Sequence, residues 1–269
     1  LTLVILGDGA VGRGLAVALS GDDVFLAGPP GTPRSRATLE ARGFFSGRNT
    51  VETGDIHHAP RGVPLICALK AYSIAGARDG MRAAKPLCIL SVTNGLELWE
   101  SWGDYRPEPV VLTAGFRMIS SQVVASPGKL LVKKGGFGET ILHNPSIPLE
   151  SEIDIEALVN AKWLVNSVIN PLGALTGLPN NRLLKAGLGP LVERLFKELS
   201  RAVPENCHTR ARAMLGYLLE YSGNHCSMLQ DVQAGRPTEL PWLTGIAKKR
   251  LPGRCPTADT LCMLLEAKA

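Results

Sequence analysis

Aromatic residues are scarce in this chain, 5% of its 269 positions. No dense lysine and arginine run is interleaved with them, so a nucleic-acid partner is not expected. Long apolar runs are missing as well. The opening run, residues 1–6, is cut short by Gly7-Asp8-Gly9. That falls far below the ~20 apolar residues of a membrane span, and below the apolar core of a signal peptide. No membrane association is expected, and a cytoplasmic location is. Six cysteines, at 67, 88, 207, 226, 255 and 262, form no C-x-x-C pair. They read as free thiols of a reducing compartment. His57-His58, His143, His208 and His225 lack metal-ligand spacing, and His225-Cys226 has no evident further ligands, so no metal is expected. Internal repeats and low-complexity tracts are absent too.

What is present fits a globular protein with a sizeable core: 45% of residues are hydrophobic. The length suits one large domain or two ordinary ones. Net charge is +5, from 29 basic and 24 acidic residues spread along the chain. A mild excess of this kind suits a small anionic ligand.

The first six residues read as a strand buried on both faces. Gly7-Asp8-Gly9-Ala10-Val11-Gly12 follows, and a helical pattern begins directly after it. This is G-x-G-x-x-G between a strand and a helix, the context that dinucleotide binding requires. Gly7 permits the tight turn, Gly9 admits a pyrophosphate to the backbone, and Gly12 lets helix and strand pack closely. The helix start supplies N–H groups and positive partial charge to phosphates. The next strand, residues 24–27, runs into Gly28-Pro29-Pro30-Gly31-Thr32-Pro33-Arg34-Ser35-Arg36. An acidic residue here would accept from the ribose hydroxyls of NAD, and arginine would accommodate the extra phosphate of NADP. The loop has no carboxylate. Arg34 and Arg36 either meet that phosphate or are solvated loop charges, and NADPH is the expected cofactor.

Residues 37–62 carry no assigned chemistry. Further strands are expected over 63–69, 87–92 and 110–115. Lys70 and Asn94 then fall at the carboxyl ends of neighbouring strands, where open α/β sheets bind ligands. The segment from Gln122 to His143 reads as a β-meander. Pro145-Ser146-Ile147-Pro148 is the best linker, and beyond it only helices are expected, over 152–176, 186–202, 206–234 and 239–250. The composition shift predicts an α/β domain at 1–150 and an all-α domain at 151–269.

On the first of these helices Lys162, Asn166 and Asn170 are spaced by four, hence on one face, while Trp163, Leu164, Val165, Val168 and Ile169 suit burial. Such a polar stripe faces either water or a polar cavity. Asn224, Ser227 and Asp231 share a face if 206–234 is one helix, and Thr238 can cap the helix that follows, with Glu239 in its first turn.

Taken together, ILGDGAVG, ALKAY around Lys70, TNGL around Asn94, AKWLVNSVINPLGALTGLPN from Ala161, GNHCSMLQDV from Gly223 and PTEL around Glu239 resemble the ketopantoate reductase family of the 6-phosphogluconate-dehydrogenase-like superfamily. The resemblance runs nearly end to end. It implies a Rossmann domain followed by a helical domain, and NADPH-dependent reduction of the C2 ketone of 2-dehydropantoate to pantoate, for pantothenate and coenzyme A synthesis. It implies Lys162 as catalytic lysine and Glu239 as the acid that orients substrate and supports that lysine. Asn94, Asn166, Asn170, Asn180, Asn224 and Ser227 match substrate-binding positions, with Lys70 and Asn94 on the cofactor side. The departure is Gly28-Pro29-Pro30, where family members commonly have arginine. A different 2-keto acid, or a non-catalytic dinucleotide sensor, are the alternatives on this scaffold. A small 2-keto acid is the expected partner, and a monomer or homodimer the expected state.

Overall fold

A computed structural model of the chain describes residues 1–142 and 145–268. His143, named above, lies outside the described residues. The fold is a Rossmann-like sheet-and-helix part followed by a helical part. Two compact units result: residues 1–93 with 99–155, and residues 94–98 with everything from Glu156 on. The change of unit at Ile155 lies beyond the expected 150, because a strand, Leu149–Glu152, still pairs with the first unit's Leu130–Lys133. More notably, Asn94–Leu98 belongs with the helices.

The first unit contains, in chain order, β1 (Thr2–Leu6), α1 (Ala10–Ala18), β2 (Asp23–Gly28), β3 (Ser35–Gly43), β4 (Gly47–Asp55), β5 (Leu65–Cys67), α2 (Ile74–Ala84) and β6 (Ile89–Ser91). It continues with α3 (Trp99–Trp102), β7 (Glu108–Pro109), β8 (Val111–Leu112), β9 (Phe116–Ile119), β10 (Gln122–Ala125), β11 (Leu130–Lys133), α4 (Phe137–Ile141) and β12 (Leu149–Glu152). A nine-stranded sheet has the order β7-β6-β5-β1-β2-β4-β3-β10-β9, and a three-stranded one the order β12-β11-β8. Strands β7 through β2 in that order run parallel, with β1 between β2 and β5. That position buries Leu3, Val4, Ile5 and Leu6 and explains why β1 is an unbroken apolar run.

Residues 37–62, a polar segment expected to hold at most short strands, contain most of a long β3–β4 hairpin. It pairs antiparallel from Ser35↔Thr53 to Ala41↔Gly47. Leu39, Ala41 and Val51 are buried while Thr38, Arg48 and Thr50 are exposed, a period of two. Its partner charges and threonines masked the apolar positions. The expected meander is not a local one: β10 pairs with β9 and with β3, whereas β11 sits in the other sheet.

The helical unit contains α5 (Ile155–Thr176), α6 (Gly189–Ser200), α7 (His208–Tyr221), α8 (Ser227–Gln233), α9 (Thr244–Arg250) and α10 (Pro256–Lys268). The single helix expected over 206–234 is broken by 222–226, and α10 was not anticipated. Among the described residues no helix is long and apolar enough to cross a membrane. Helix α5, 22 residues or about 33 Å long, is the unit's spine. Its Ala161, Trp163, Leu164, Val165, Val168, Ile169 and Leu172 are all buried, so most of its circumference is core.

Pro171 lies inside α5. It has no N–H for the carbonyl four residues earlier, that of Ser167. The hydroxyl of Thr244, fully buried at the start of α9, donates to that oxygen instead, at 3.1 Å. The far end of α5 is held by Lys268 Nζ of α10, which donates to the oxygens of Ala174 (3.1 Å) and Leu175 (2.9 Å). The opposite end of α10 is capped from a distance. Buried Glu198 accepts from Thr257 N (3.0 Å), Thr257 Oγ1 and Ala258 N (3.2 Å). Glu198→Ala leaves these buried donors without an acceptor. The expected loss is about 1–3 kcal/mol of unfolding free energy, read by urea denaturation.

Candidate active site

The cofactor end is built by β1 and α1. Gly7 has φ +113°, a conformation that disfavours side chains, and a Cβ there would press on the Ala68 carbonyl at 3.0 Å. A Cβ on Gly12 would lie 1.7 Å from Gly7 O, so only glycine fits between turn and helix. Nothing lies within 4 Å of a Cβ placed on Gly9, which leaves its backbone open to a bulky group. Helix α1 starts at Ala10 with no side-chain cap, so its first N–H groups are available to phosphate oxygens. The motif therefore fits a dinucleotide pyrophosphate, with Ala10 and Val11 supplying backbone in the helix's first turn.

Lys70 follows β5 by three residues and opens a 3₁₀ turn, Ala71–Ser73. It belongs to the sheet unit, but Asn94, expected beside it, belongs to the helical one. The reason is local. Gly95 adopts φ +108°, and a side chain there would meet Trp242 Cβ at 2.8 Å. Leu96 N donates to Trp242 O at 3.2 Å, as does Trp163 Nε1 at 3.1 Å. Trp242 thus fastens the Asn94–Leu98 segment to α5. Asn166 Nδ2 reaches Asn94 Oδ1 at 3.5 Å. No property of the TNGL segment by itself announces this change of unit.

Within the helical unit Lys162, Asn166 and Asn170 do share a face of α5. Lys162 is half-buried, and burial pushes its ammonium down from the ordinary lysine range to about 8, while the nearby Glu239 charge pulls it upward. Glu239 is itself buried, just before the turn Leu240–Trp242. The polar stripe is therefore not a solvated face: Asn170 is buried and its main-chain oxygen accepts from Cys226 Sγ at 3.4 Å. Asn180 is buried in a 3₁₀ turn, where its N donates to Asn224 O (3.1 Å) and its Nδ2 to Ser222 Oγ (3.3 Å). Its Oδ1 has no partner among the described residues, as an acceptor waiting for a ligand's donor would have none.

Asn224 is exposed in the break between α7 and α8, so it shares no helix with Ser227, which begins α8 after the Cys226 cap. Asp231 is a different case. Buried at 2%, it accepts from Arg236 Nε (3.0 Å) and holds Arg236 NH2 at 2.9 Å. It fastens the turn after α8. Thr244, which repairs the Pro171 gap, and Trp242, which anchors Asn94, were not anticipated. The proline four residues after Ser167 was the one available sign that a donor would be needed there.

Arg34, expected at the cofactor, instead donates to Glu52 Oε2 at 2.7 Å across the β3–β4 hairpin. Arg36 stands directly opposite Glu52 in the ladder. Hydrogen bonding and charge from Arg34 hold the Glu52 carboxyl below its usual range, with a smaller contribution from Arg36. Neither residue stands at the end of β2.

A glycine cradle on a parallel sheet and a half-buried lysine on a helical unit are the parts a dinucleotide-dependent oxidoreductase has. Residues 154–269 match the family model of the ketopantoate reductase C terminal. The 2-dehydropantoate 2-reductase of Yersinia pestis is 26% identical over 93% of this chain and 88% of its own length. A dimeric ketopantoate reductase from Staphylococcus aureus has the same fold, with a TM-score of 0.80 at 16% identity, covering 100% of this chain and 98% of that one. A D-mandelate dehydrogenase solved with NADH and anilino(oxo)acetate is similar too, with a TM-score of 0.80 at 18% identity over 100% and 98%. Residues 154–269 thus match the model of that family's C-terminal part, and the chain has the two-part fold of the ketopantoate reductases it is similar to.

Glu239 raises the Lys162 pKa against the effect of burial. Glu239→Gln removes that charge, so desolvation acts unopposed and the lysine must titrate lower than about 8. Titration of isotopically dimethylated lysines by NMR is expected to show one amine near 8 in the parent, displaced downward in the variant. Linkage runs the same way. The unfolded lysine titrates near 10.5 and the folded one near 8, so the unfolded state binds more protons between those values. The Lys162 contribution to stability therefore rises with pH across that window.

Proposed function

We propose that the chain reduces the keto group of a 2-keto acid, with ketopantoate as substrate and pantothenate synthesis as its role. The observation that carries this reading is the half-buried Lys162 ammonium beside buried Glu239, on a helix that also presents Asn166 and Asn170. When bound, the reduced nicotinamide supplies the hydride. Lys162 donates a hydrogen bond to the ketone oxygen, which is neutral before the hydride arrives and negative after it. The ammonium then gives up its proton, so one hydride and one proton convert ketone to alcohol. A lysine lowered to about 8 holds its proton at neutral pH and releases it more readily than an ordinary one. Glu239 keeps that proton on the lysine until it is needed and accepts from a substrate hydroxyl. Asn94, Asn166, Asn170, Asn180, Asn224 and Ser227 are assigned to the carboxylate and hydroxyls of the substrate. Gly7, Asp8, Gly9, Ala10, Val11, Gly12 and Lys70 are assigned to the dinucleotide.

The similarity to a D-mandelate dehydrogenase supports a second reading, an aromatic 2-keto acid on the same machinery. Steady-state oxidation of the reduced cofactor with ketopantoate, set against an aromatic 2-keto acid, tests the two. A higher kcat/KM for the aromatic acid would replace the first reading by the second, and no turnover with either would remove both.

Lys162→Met should lower kcat by at least about a hundredfold, because the ammonium acts chiefly where charge develops. Dinucleotide affinity, measured by fluorescence titration, should stay within a fewfold of the parent's. In the parent, reduction should be flat below about pH 8 and fall roughly tenfold per pH unit above it, as the ammonium is lost.

A further inference from the structure

The end of β2 is where a Rossmann fold reads the adenosine ribose. Here that position is Gly28, with no side chain to do so. A Cβ built on Gly28 would lie 3.0 Å from Thr32 Oγ1 and 3.4 Å from Asp8 Oδ2. The space a reading side chain would enter is therefore flanked by a hydroxyl of the following loop and a carboxylate of the glycine motif.

The loop is fixed in that place. Thr32 donates to Pro29 O through both its N (3.1 Å) and its Oγ1 (2.7 Å). Gly31 N donates to Asp55 Oδ2 at 2.6 Å, and Asp55 N returns to Thr32 O at 2.9 Å. With its proton committed to Pro29, Thr32 Oγ1 is left to accept. Among the described residues no donor is hydrogen-bonded to the Asp8 carboxylate. Its nearest cation, Arg13, stands 3.9 Å away at NH2 and is anchored by Nε to Asp8 O at 2.7 Å. Asp8 is partly exposed, so it can meet a ligand.

We propose that Asp8, with Thr32, is the specificity-determining group for the cofactor, accepting from the ribose hydroxyls, and that the chain binds NADH in preference to NADPH. Both groups at the end of β2 are acceptors. Ribose hydroxyls have protons to give them, whereas a 2′-phosphate offers only acceptor oxygens and a charge of the same sign as Asp8. Of the loop's two arginines, Arg34 pairs with Glu52 at 2.7 Å and Arg36 stands opposite the same carboxylate. This reverses the expectation of NADPH drawn from the loop's arginines. It rests on the reading that the glycine cradle holds a nicotinamide dinucleotide.

The test is fluorescence titration of the whole chain with NADH and with NADPH, which needs no keto acid. The parent should bind NADH at least about tenfold tighter, the equivalent of one charge-assisted hydrogen bond against one repulsion. Asp8→Asn leaves Arg13 unopposed, and its NADH-to-NADPH affinity ratio should fall by about tenfold or more. The double variant Arg34→Ala, Arg36→Ala should keep the parent's ratio. NADPH binding tighter than NADH in the parent would overturn the assignment alone, as would an unchanged ratio in Asp8→Asn or a shifted one in the double variant. Binding of neither form would overturn it together with the dinucleotide reading.

Discussion

Lys162 puts a positive charge on a helix that is otherwise core, and much of the helical unit serves to tolerate it. Taking an ammonium out of water is unfavourable, and the fall of its pKa from 10.5 to about 8 corresponds to about 3 kcal/mol at neutral pH. That is a substantial share of a domain's net stability. Glu239 offsets part of the cost, but it is buried too and so needs its own enclosure. A pair of this kind does little for folding by itself. Its presence on a helix packed with Trp163, Leu164 and Val168 makes sense where the charge is needed in a water-poor place.

The surrounding structure makes α5 rigid enough to hold that charge in place. Pro171 would ordinarily weaken the helix one turn beyond Asn166, yet the Thr244 hydroxyl takes over the missing donation to Ser167. Trp242 ties the Asn94–Leu98 segment to Trp163 on the same helix. Thr244 and Trp242 flank Leu243, so one short stretch of chain both fills the gap at Pro171 and holds Trp163 of α5. Glu239 comes three residues before Trp242, which makes the acid's position depend on the same stretch.

Much of this was legible in the sequence where the deciding physics is local. The glycine motif was readable because Gly7 and Gly12 answer backbone requirements within a few residues, as the 1.7 Å approach at Gly12 shows. The stripe on α5 was readable because helical spacing alone puts Lys162, Asn166 and Asn170 together. Legibility ended where long-range pairing decides. The β3–β4 hairpin hides its core positions among charges and threonines that pair across strands. Asn94 follows a strand in sequence, but Trp242, some 150 positions away, assigns it to the helices. The α7–α8 break was invisible because residues 222–226 contain one glycine and no proline to mark it.

Net charge was the weakest guide. The excess of +5 suits an anionic ligand in general terms, but several of the arginines that contribute to it are paired with carboxylates. Arg34 pairs with Glu52, Arg48 with Glu40, Arg212 with Glu193, Arg236 with Asp231 and Arg250 with Glu97. The solvent-exposed ones among these, such as Arg212 with Glu193, are worth little. The groups suited to handle negative charge are of another kind. At the start of α1 they are backbone N–H groups with no side-chain cap, oriented by the helix before any phosphate arrives. On α5 the group is a single ammonium whose protonation is set by burial and by one carboxylate. Neither contributes visibly to a count of charges, because what matters in both is where the fold holds the donor. The site is thus determined by which polar groups the fold leaves uncommitted, and that can be read only after the pairing of all the others is known.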